Sequence, residues 1–413
     1  LLYFVLTAAA LLQAQPKANV NETPYPYDNP VITHMYTADA APHVMPDGRV
    51  WMVTSVDHEQ GGGYATMHEY HSFSSADMVN WVDHGPVLHI NDMIGGQEPE
   101  NEDWALWAPD MIYRNGTYYL YFPLRILHTD TLKPDGGRVV TSYIAVAQSD
   151  APDEKFTVIS RRIKGTRGID PCVFIDDDDT PYLYFGSHWG APLKDNMVEL
   201  ASGAVQLDVD TDRFMEAIWM HKRGGQYYVS YHTKYNWKLD LNKDTIDDPE
   251  RKKSELAYSV GDSPLGPFDY KGTFNLEPGA GVENGPRHPD ADVVPWRFTL
   301  SNHGGIVGYH GQDYLFYHTS ALSSWRQDEF KAEGTWTQRS VCIDSLNYTK
   351  DGDLKLVQQT LKSVDPVSVE QPFAIPLDFR DAETGRAGLS NGVLMVDAGR
   401  TVLRFDNIDL GSG

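Results

Sequence analysis

GTYYLYFP (116–123) is a turn glycine followed by a run of alternating aromatic and aliphatic residues. The chain carries four echoes of it: GRVWMVTS (48–55), TPYLYFGS (180–187), GQYYVSYH (225–232) and GQDYLFYH (311–318). A turn residue before a short run rich in Tyr, Phe and Val is the signature of a β-strand leaving a tight turn. Each echo is preceded by another short run: APHVMPD (41–47), APDMIYRN (108–115), DPCVFIDDD (170–178), WMHKRG (219–224) and GGIVGYH (304–310). The unit is therefore a hairpin, repeated five times with loops of unequal length between copies. Outer strands recur as well, in SFSSADMVNWVDHG (72–85), AVAQSDAPDEKF (145–156) and AYSVGDSPLGPFDY (257–270). Helical periodicity is nearly absent. Five four-stranded sheets around one axis make a five-bladed β-propeller. Two β-sandwiches in tandem are the alternative, and the constant internal order of the five units favours the propeller.

Counting back from each turn exposes a register. Asp39 stands nine residues before Gly48, Trp107 nine before Gly116, Asp170 ten before Thr180, Glu216 nine before Gly225 and His303 eight before Gly311. The first strand of a propeller blade lines the central channel, so these five side chains are expected at one end of it. Asp39 and Asp170 could each be a turn residue. Three acids in one ring, beside a Trp and a His, are harder to explain that way. Clustered carboxylates repel, some must take up protons more readily, and acid–base chemistry is a reason to retain that cost. Two carboxylates facing across a cleft can hydrolyse a glycosidic bond: one protonates the leaving oxygen, and the other activates water or attacks the sugar. A third can keep the acid protonated and oriented.

The wider composition sets limits. The chain has 413 residues, 34 Lys and Arg against 58 Asp and Glu, and a net charge of −24. Nothing in that balance neutralises phosphates, so nucleic acid is not an expected partner. Two cysteines, Cys172 and Cys342, exclude a disulfide scaffold and a cysteine-rich zinc site. No organic cofactor motif is present. The opening LLYFVLTAAALLQAQ (1–15) has the apolar core of a secretory signal with a small residue, Ala14, near its end. It is too short to span a bilayer comfortably. The expected location is therefore secreted or periplasmic, with no membrane contact beyond this segment.

At the acidic register the sequence resembles glycoside hydrolase family 43. The matching stretches are NPVITHMYTADAAPHV (29–44), DMVNWVDHG (77–85), WAPDMIYRNGTYYLYF (107–122), GIDPCVF (168–174), FMEAIWMHKRGGQYYVSY (214–231), DSPLGPF (262–268), NHGGIVGYHGQDYLFYH (302–318) and RSVCIDSLNY (339–348). They follow the family's order from about residue 29 to about 365. The resemblance implies an inverting, single-displacement glycosidase. In it Asp39 is the general base, Glu216 the general acid and Asp170 the carboxylate that tunes and orients Glu216. It further implies that Trp107 walls the pocket for the cleaved sugar and that Arg339 lies near the sugar hydroxyls and the acids. His303 matches an axial histidine that lies beside a hydrated calcium ion in many members. Two departures are EAIW where relatives commonly read EGPW or EAAW, and Cys172 in DPCVF where they read DPSVF. Trp189, in SHWG (187–190), is a candidate sugar platform or a loop anchor.

THMYTAD (33–39) and WMHKRGGQYYVSY (219–231) are most similar to β-D-xylosidases and α-L-arabinofuranosidases, which act on plant or algal cell-wall carbohydrate. Endo-arabinanase, galactosidase and a non-catalytic sugar-binding propeller are the competing readings. After LKSVDPV (361–367) the pattern shifts, and FDNIDLGSG (405–413) resembles an early strand of a family 6 carbohydrate-binding module. The expected organisation is a signal remnant (1–15), an all-β propeller (16–366) and an incomplete C-terminal β-sandwich fragment (367–413).

Overall fold

The computed structural model describes residues 24–93, 102–235 and 252–367, apart from 291, 298 and 300, and the backbone of two short strands, Ala387–Ser390 and Val393–Val396. Five antiparallel sheets follow one another along the chain. Blade 1 is Tyr36–Val44, Val50–Asp57, Glu69–Ser75 and Val82–His89. Blade 2 starts at its inner strand Asp110–Arg114 and continues through Thr117–Leu132, Arg138–Ser149 and Thr157–Ser160. A preceding strand, Glu102–Leu106, pairs with the overhanging end of Thr117–Leu132. Blade 3 is Cys172–Ile175, Pro181–Phe185, Trp189–Pro192 and Val205–Gln206. Blade 4 is Phe214–Arg223, Gln226–Thr233, Leu256–Gly261 and Phe268–Asn275. Blade 5 is Gly305–Tyr309, Gln312–Thr319 and Ser340–Leu346, with the helix Ala321–Asp328 between its second and third strands.

The all-β, five-bladed architecture read from the five hairpins is what forms. One detail differs: among the described residues blade 5 has three strands instead of four. The reason lies at its outer edge, where Asn29 takes the place of a strand. Its side-chain amide donates to the Ile343 carbonyl at 3.1 Å and its carbonyl oxygen accepts from the Ile343 N–H at 2.9 Å. A single side chain thus satisfies both backbone groups of an edge residue. The backbone N–H groups of Asp28 and Asn29 both donate to the Leu361 carbonyl, and that of Val31 donates to Val341. The sandwich expectation for 367–413 and the signal remnant 1–15 fall outside the described residues, save the antiparallel pair 387–390 and 393–396.

The inner strands are joined around the axis by a belt of contacts. His43 of blade 1 pairs with Asp110 of blade 2 at 2.7 Å. The other oxygen of Asp110 accepts from the Val173 N–H of blade 3 at 2.6 Å. The Met220 N–H of blade 4 points at Cys172 Sγ of blade 3, 3.3 Å away, and the Trp219 indole of blade 4 donates to the Ile306 carbonyl of blade 5 at 3.1 Å. Blade 5 returns to blade 1 through Gly305, where a Cβ would stand 2.6 Å from the Ala40 carbonyl oxygen. Only a glycine admits that approach.

Candidate active site

Asp39 and Glu216 lie inside their inner strands, each at a register shift against the neighbouring strand. Asp39 has φ +57° and Ala217, which follows Glu216, has φ +62°. A strand points alternate side chains to opposite faces, and a bulge re-aims one of them. Asp170, with φ +53°, and His303 stand just before the inner strands of blades 3 and 5. Non-glycine residues in the left-handed region are uncommon and cluster where a side chain must be held in a fixed direction. The outcome is one pocket at one end of the channel, with an empty volume of about 540 Å³. Asp39, Asp170 and Glu216 line it together with Trp107, His303 and Arg339. Six of the seven residues singled out in the sequence therefore meet there. Trp189 does not line the pocket; it packs in blade 3 with the Arg167 guanidinium 4.0 Å from its ring centre.

The surroundings of the three acids differ. Asp39 accepts from Ser55 Oγ at 2.7 Å and from Arg339 Nη1 at 2.9 Å, and His303 Nδ1 lies 3.0 Å from its Oδ1. Burial alone would raise its carboxyl, but the charges of Arg339 and His303 outweigh burial and hold it well below the usual carboxylate range. Arg339 is fully buried, and it also forks onto Asp57 through Nε and Nη2, both at 2.8 Å. Asp170 accepts from the Ala217 N–H at 3.0 Å, so it grips the peptide next to Glu216. Its carboxyl is pushed up by burial, with His303 opposing and the negative charges of Glu216 and Asp39 adding. Glu216 has one buried oxygen, Oε1, without a hydrogen-bond partner, and His232 Nδ1 lies 3.6 Å from it. Burial again favours its protonated form, yet His232 and His303 keep it below its ordinary value. His303 lies between Asp39 and Asp170, and despite burial those two carboxylates raise its imidazole well above the usual range.

The pocket wall contains residues that sequence reasoning passed over. Tyr64 lines it, bonds Ser301 Oγ at 3.2 Å and lies under the Arg339 guanidinium at 5.0 Å. Burial pushes its phenol up to about 12. Trp107 donates from its indole to the Tyr64 carbonyl at 2.8 Å, which fixes the ring against the pocket. Met67, Ala108, Ile169, Met215 and Ser301 complete the lining. The signal for Tyr64 was weak, since it sits in a glycine-rich loop, GGGYAT (61–66), with no strand pattern around it.

The implied calcium was tested against the donors present. Calcium takes six to eight oxygen ligands. Among the described residues no group of three or more His, Cys, Asp or Glu side chains could hold a metal. The narrow space below the acids is lined largely by small residues, including Ala40, Ala108, Ala217 and Gly304. His303 also lines it and has one buried nitrogen, Nε2, without a hydrogen-bond partner. A cage built wholly from protein does not fit. His303 does not supply a ligand either, because the carboxylates of Asp39 and Asp170 favour its protonated form, which has no lone pair for a cation.

Comparison with known proteins agrees with the geometry. Residues 27–354 match the profile of Glycosyl hydrolases family 43. The chain is 32% identical to a xylosidase/arabinosidase of Humicola insolens, an alignment covering 79% of this chain and 98% of the relative. It is 31% identical to a xylosidase/arabinosidase of Bacteroides ovatus, over 78% and 95% respectively. Among solved structures it is similar to a β-xylosidase/α-arabinofuranosidase from a compost microbial metagenome, in complex with xylotriose and calcium-free. That match has a TM-score of 0.59 at 28% identity, covering 81% of this chain and 98% of the other. A GH43_1 enzyme of Xanthomonas citri complexed with xylotriose matches with a TM-score of 0.58 at 29% identity, over 82% and 95%. A propeller whose inner strands bring three carboxylates to one pocket, matched by the family profile across most of its length, belongs to glycosyl hydrolase family 43 and is a glycoside hydrolase.

Proposed function

We propose that the protein is a secreted, inverting exo-glycosidase that releases terminal β-D-xylosyl or α-L-arabinofuranosyl residues from hemicellulose-type chains. The observation that carries this reading is the unequal treatment of three carboxylates in one pocket. Asp39, held ionised by Arg339, is equipped to take a proton from water. Glu216 lines the same pocket, where its carboxyl can serve a leaving oxygen. Asp170 holds the Ala217 peptide and so sets the direction of Glu216. Two coupled buried carboxylates lose protons in steps that belong to the pair. In the free pocket the pair's proton rests on Asp170, whose carboxyl is raised while that of Glu216 is lowered. The proposed acid role therefore requires the proton to pass to Glu216, where the charge left on Asp170 then strengthens its hold. In the proposed single displacement, water attacks the anomeric carbon as Asp39 accepts its proton, while Glu216 protonates the departing oxygen. Trp107 and Tyr64 wall the sugar ring and exclude solvent. The relatives named as xylosidase/arabinosidase support the choice of pentose, and the apolar opening stretch supports secretion.

The test is hydrolysis of 4-nitrophenyl β-D-xylopyranoside and α-L-arabinofuranoside, with the anomer of the released sugar followed by NMR. Inversion is expected. Asp39→Asn and Glu216→Gln are each expected to lose at least about a thousandfold in kcat. Hydrolysis at the wild-type rate by both variants, or retention of configuration, would sink the assignment.

A further inference from the structure

We propose that Trp336 is the platform for the sugar beyond the cleaved bond, so that the enzyme recognises the second residue of its oligosaccharide. The inference rests on the pentosidase reading above and extends it to the leaving-group side.

Trp336 is 42% exposed, the tryptophan most open to solvent among the described residues. It is not isolated. Its ring meets Tyr64 edge-on, with centroids 5.3 Å apart, and Tyr64 meets Trp107 the same way at 6.1 Å. Tyr64 and Trp107 line the pocket, whereas Trp336 stands one ring further out. The three rings form an arc from the wall of the cleaved-sugar site to its rim. A terminal sugar held at the acids leaves the rest of its chain to pass over that rim.

The exposed ring is also held still. The Thr335 N–H donates to Ser323 Oγ at 2.9 Å, and Gln327 donates to Thr335 Oγ1 at 2.8 Å. On the other side Thr337 and Gln338 are buried, and the Gln338 amide reaches the Glu59 carbonyl of blade 1 at 2.8 Å. Gly334 is pressed against Ser320, where a Cβ would stand 2.2 Å from the carbonyl oxygen. Arg326, from the helix of blade 5, ties the same blade 1 loop through Glu59 at 3.0 Å. A large apolar ring left in water on an otherwise pinned loop is a cost unless something covers it. Because the backbone on both sides is fixed, covering it orders little that is not already ordered. The apolar C–H face of a sugar ring fits such a surface, and the flanking polar groups remain free to meet its hydroxyls.

The experiment compares wild type, Trp336→Ala and Trp336→Phe on xylobiose and xylotriose, with inhibition by free xylose measured alongside. Xylose reports the cleaved-sugar site alone. Trp336→Ala is expected to lower kcat/KM on both oligosaccharides about tenfold, mainly through KM, as truncating an aromatic anchor does. Its xylose inhibition constant should stay within about twofold of wild type, and Trp336→Phe should retain most of the activity. If wild type and Trp336→Ala cleave xylotriose equally well, the platform is wrong and the pentosidase reading stands. If wild type cleaves neither xylo-oligosaccharides nor aryl pentosides, the pentosidase reading falls and takes the platform with it.

Discussion

Arg339 carries two buried carboxylates at once, and its three nitrogens are divided between them. Nε and Nη2 serve Asp57, Nη1 serves Asp39, and Nη2 also reaches the second Asp39 oxygen at 3.4 Å. Removing a partner from such a group costs more than the pair contributes, because the remaining charges stay buried. Arg339→Met should destabilise the fold by about 3–5 kcal/mol, read as a fall in thermal midpoint. It should also move the acid limb of kcat/KM to higher pH. The sign follows from Asp39: with the guanidinium gone its carboxyl rises, so more acid is needed before the wild-type base protonates, and less for the variant. An unmoved acid limb in the folded variant would show that Arg339 does not set the charge of Asp39. Asp39 was legible in the sequence because it shares a register with four other residues. Asp57 was not, since it ends a strand as an ordinary Val-Asp. Its meaning appears only when blade 5 closes against blade 1 and brings it to a residue 282 positions away. Trp189 shows the reverse case, a conspicuous aromatic whose partner is Arg167 and whose place is outside the pocket.

The strands explain why the register count worked and where it was blind. Asp39 and Glu216 lie within long inner strands, nine and ten residues respectively, whereas Asp170 and His303 precede shorter ones. The distance to the turn stays nearly constant whether the residue lies within the inner strand or just before it, and only blades 1 and 4 carry a register shift there. A bulge leaves little mark in composition, so the aim of the side chains could not be read, only their level along the channel. At the outer edge of blade 1, strand pairing builds a different electrostatic unit. His71 lies 3.1 Å from Asp83 and 3.7 Å from Glu69. Burial would lower its imidazole, but the two carboxylates outweigh this and push it up to about 9. A histidine raised in the fold stabilises it fully below its unfolded value, near 6.5, and ceases to do so as pH rises through about 9. Wild type should therefore lose stability across that window, by about 1–3 kcal/mol more than His71→Gln does. Urea midpoints at pH 6 and pH 9.5 check this, and parallel pH dependence in the two proteins would refute it.

At the scale of the molecule, the belt around the axis makes each blade a partner of the blade on either side. Linear repeat arrays can unfold piecewise because each unit touches only its neighbours. Here the last blade returns to the first, so losing one contact opens a ring. Asp110 forms two of its links, fully buried and shared between His43 and the Val173 N–H. Asp110→Ala leaves both donors unsatisfied and should cost about 3–5 kcal/mol. Unfolding should remain one transition, with tryptophan fluorescence and far-ultraviolet circular dichroism falling together. Two separated transitions within residues 28–361 would mean that the blades are independent.

The place where the ring is fastened has a consequence of its own. Asp28 and Asn29 share the Leu361 carbonyl, and Asn29 fills the outer edge of blade 5. Entry and exit of the propeller chain are thus neighbours in space. Joining them with a short linker would leave the packing of the five blades unaltered, and a cut in another exposed turn would begin the same ring elsewhere. Which blade comes first is then a matter of genetic order, and the catalytic pocket, assembled from all five, is indifferent to it.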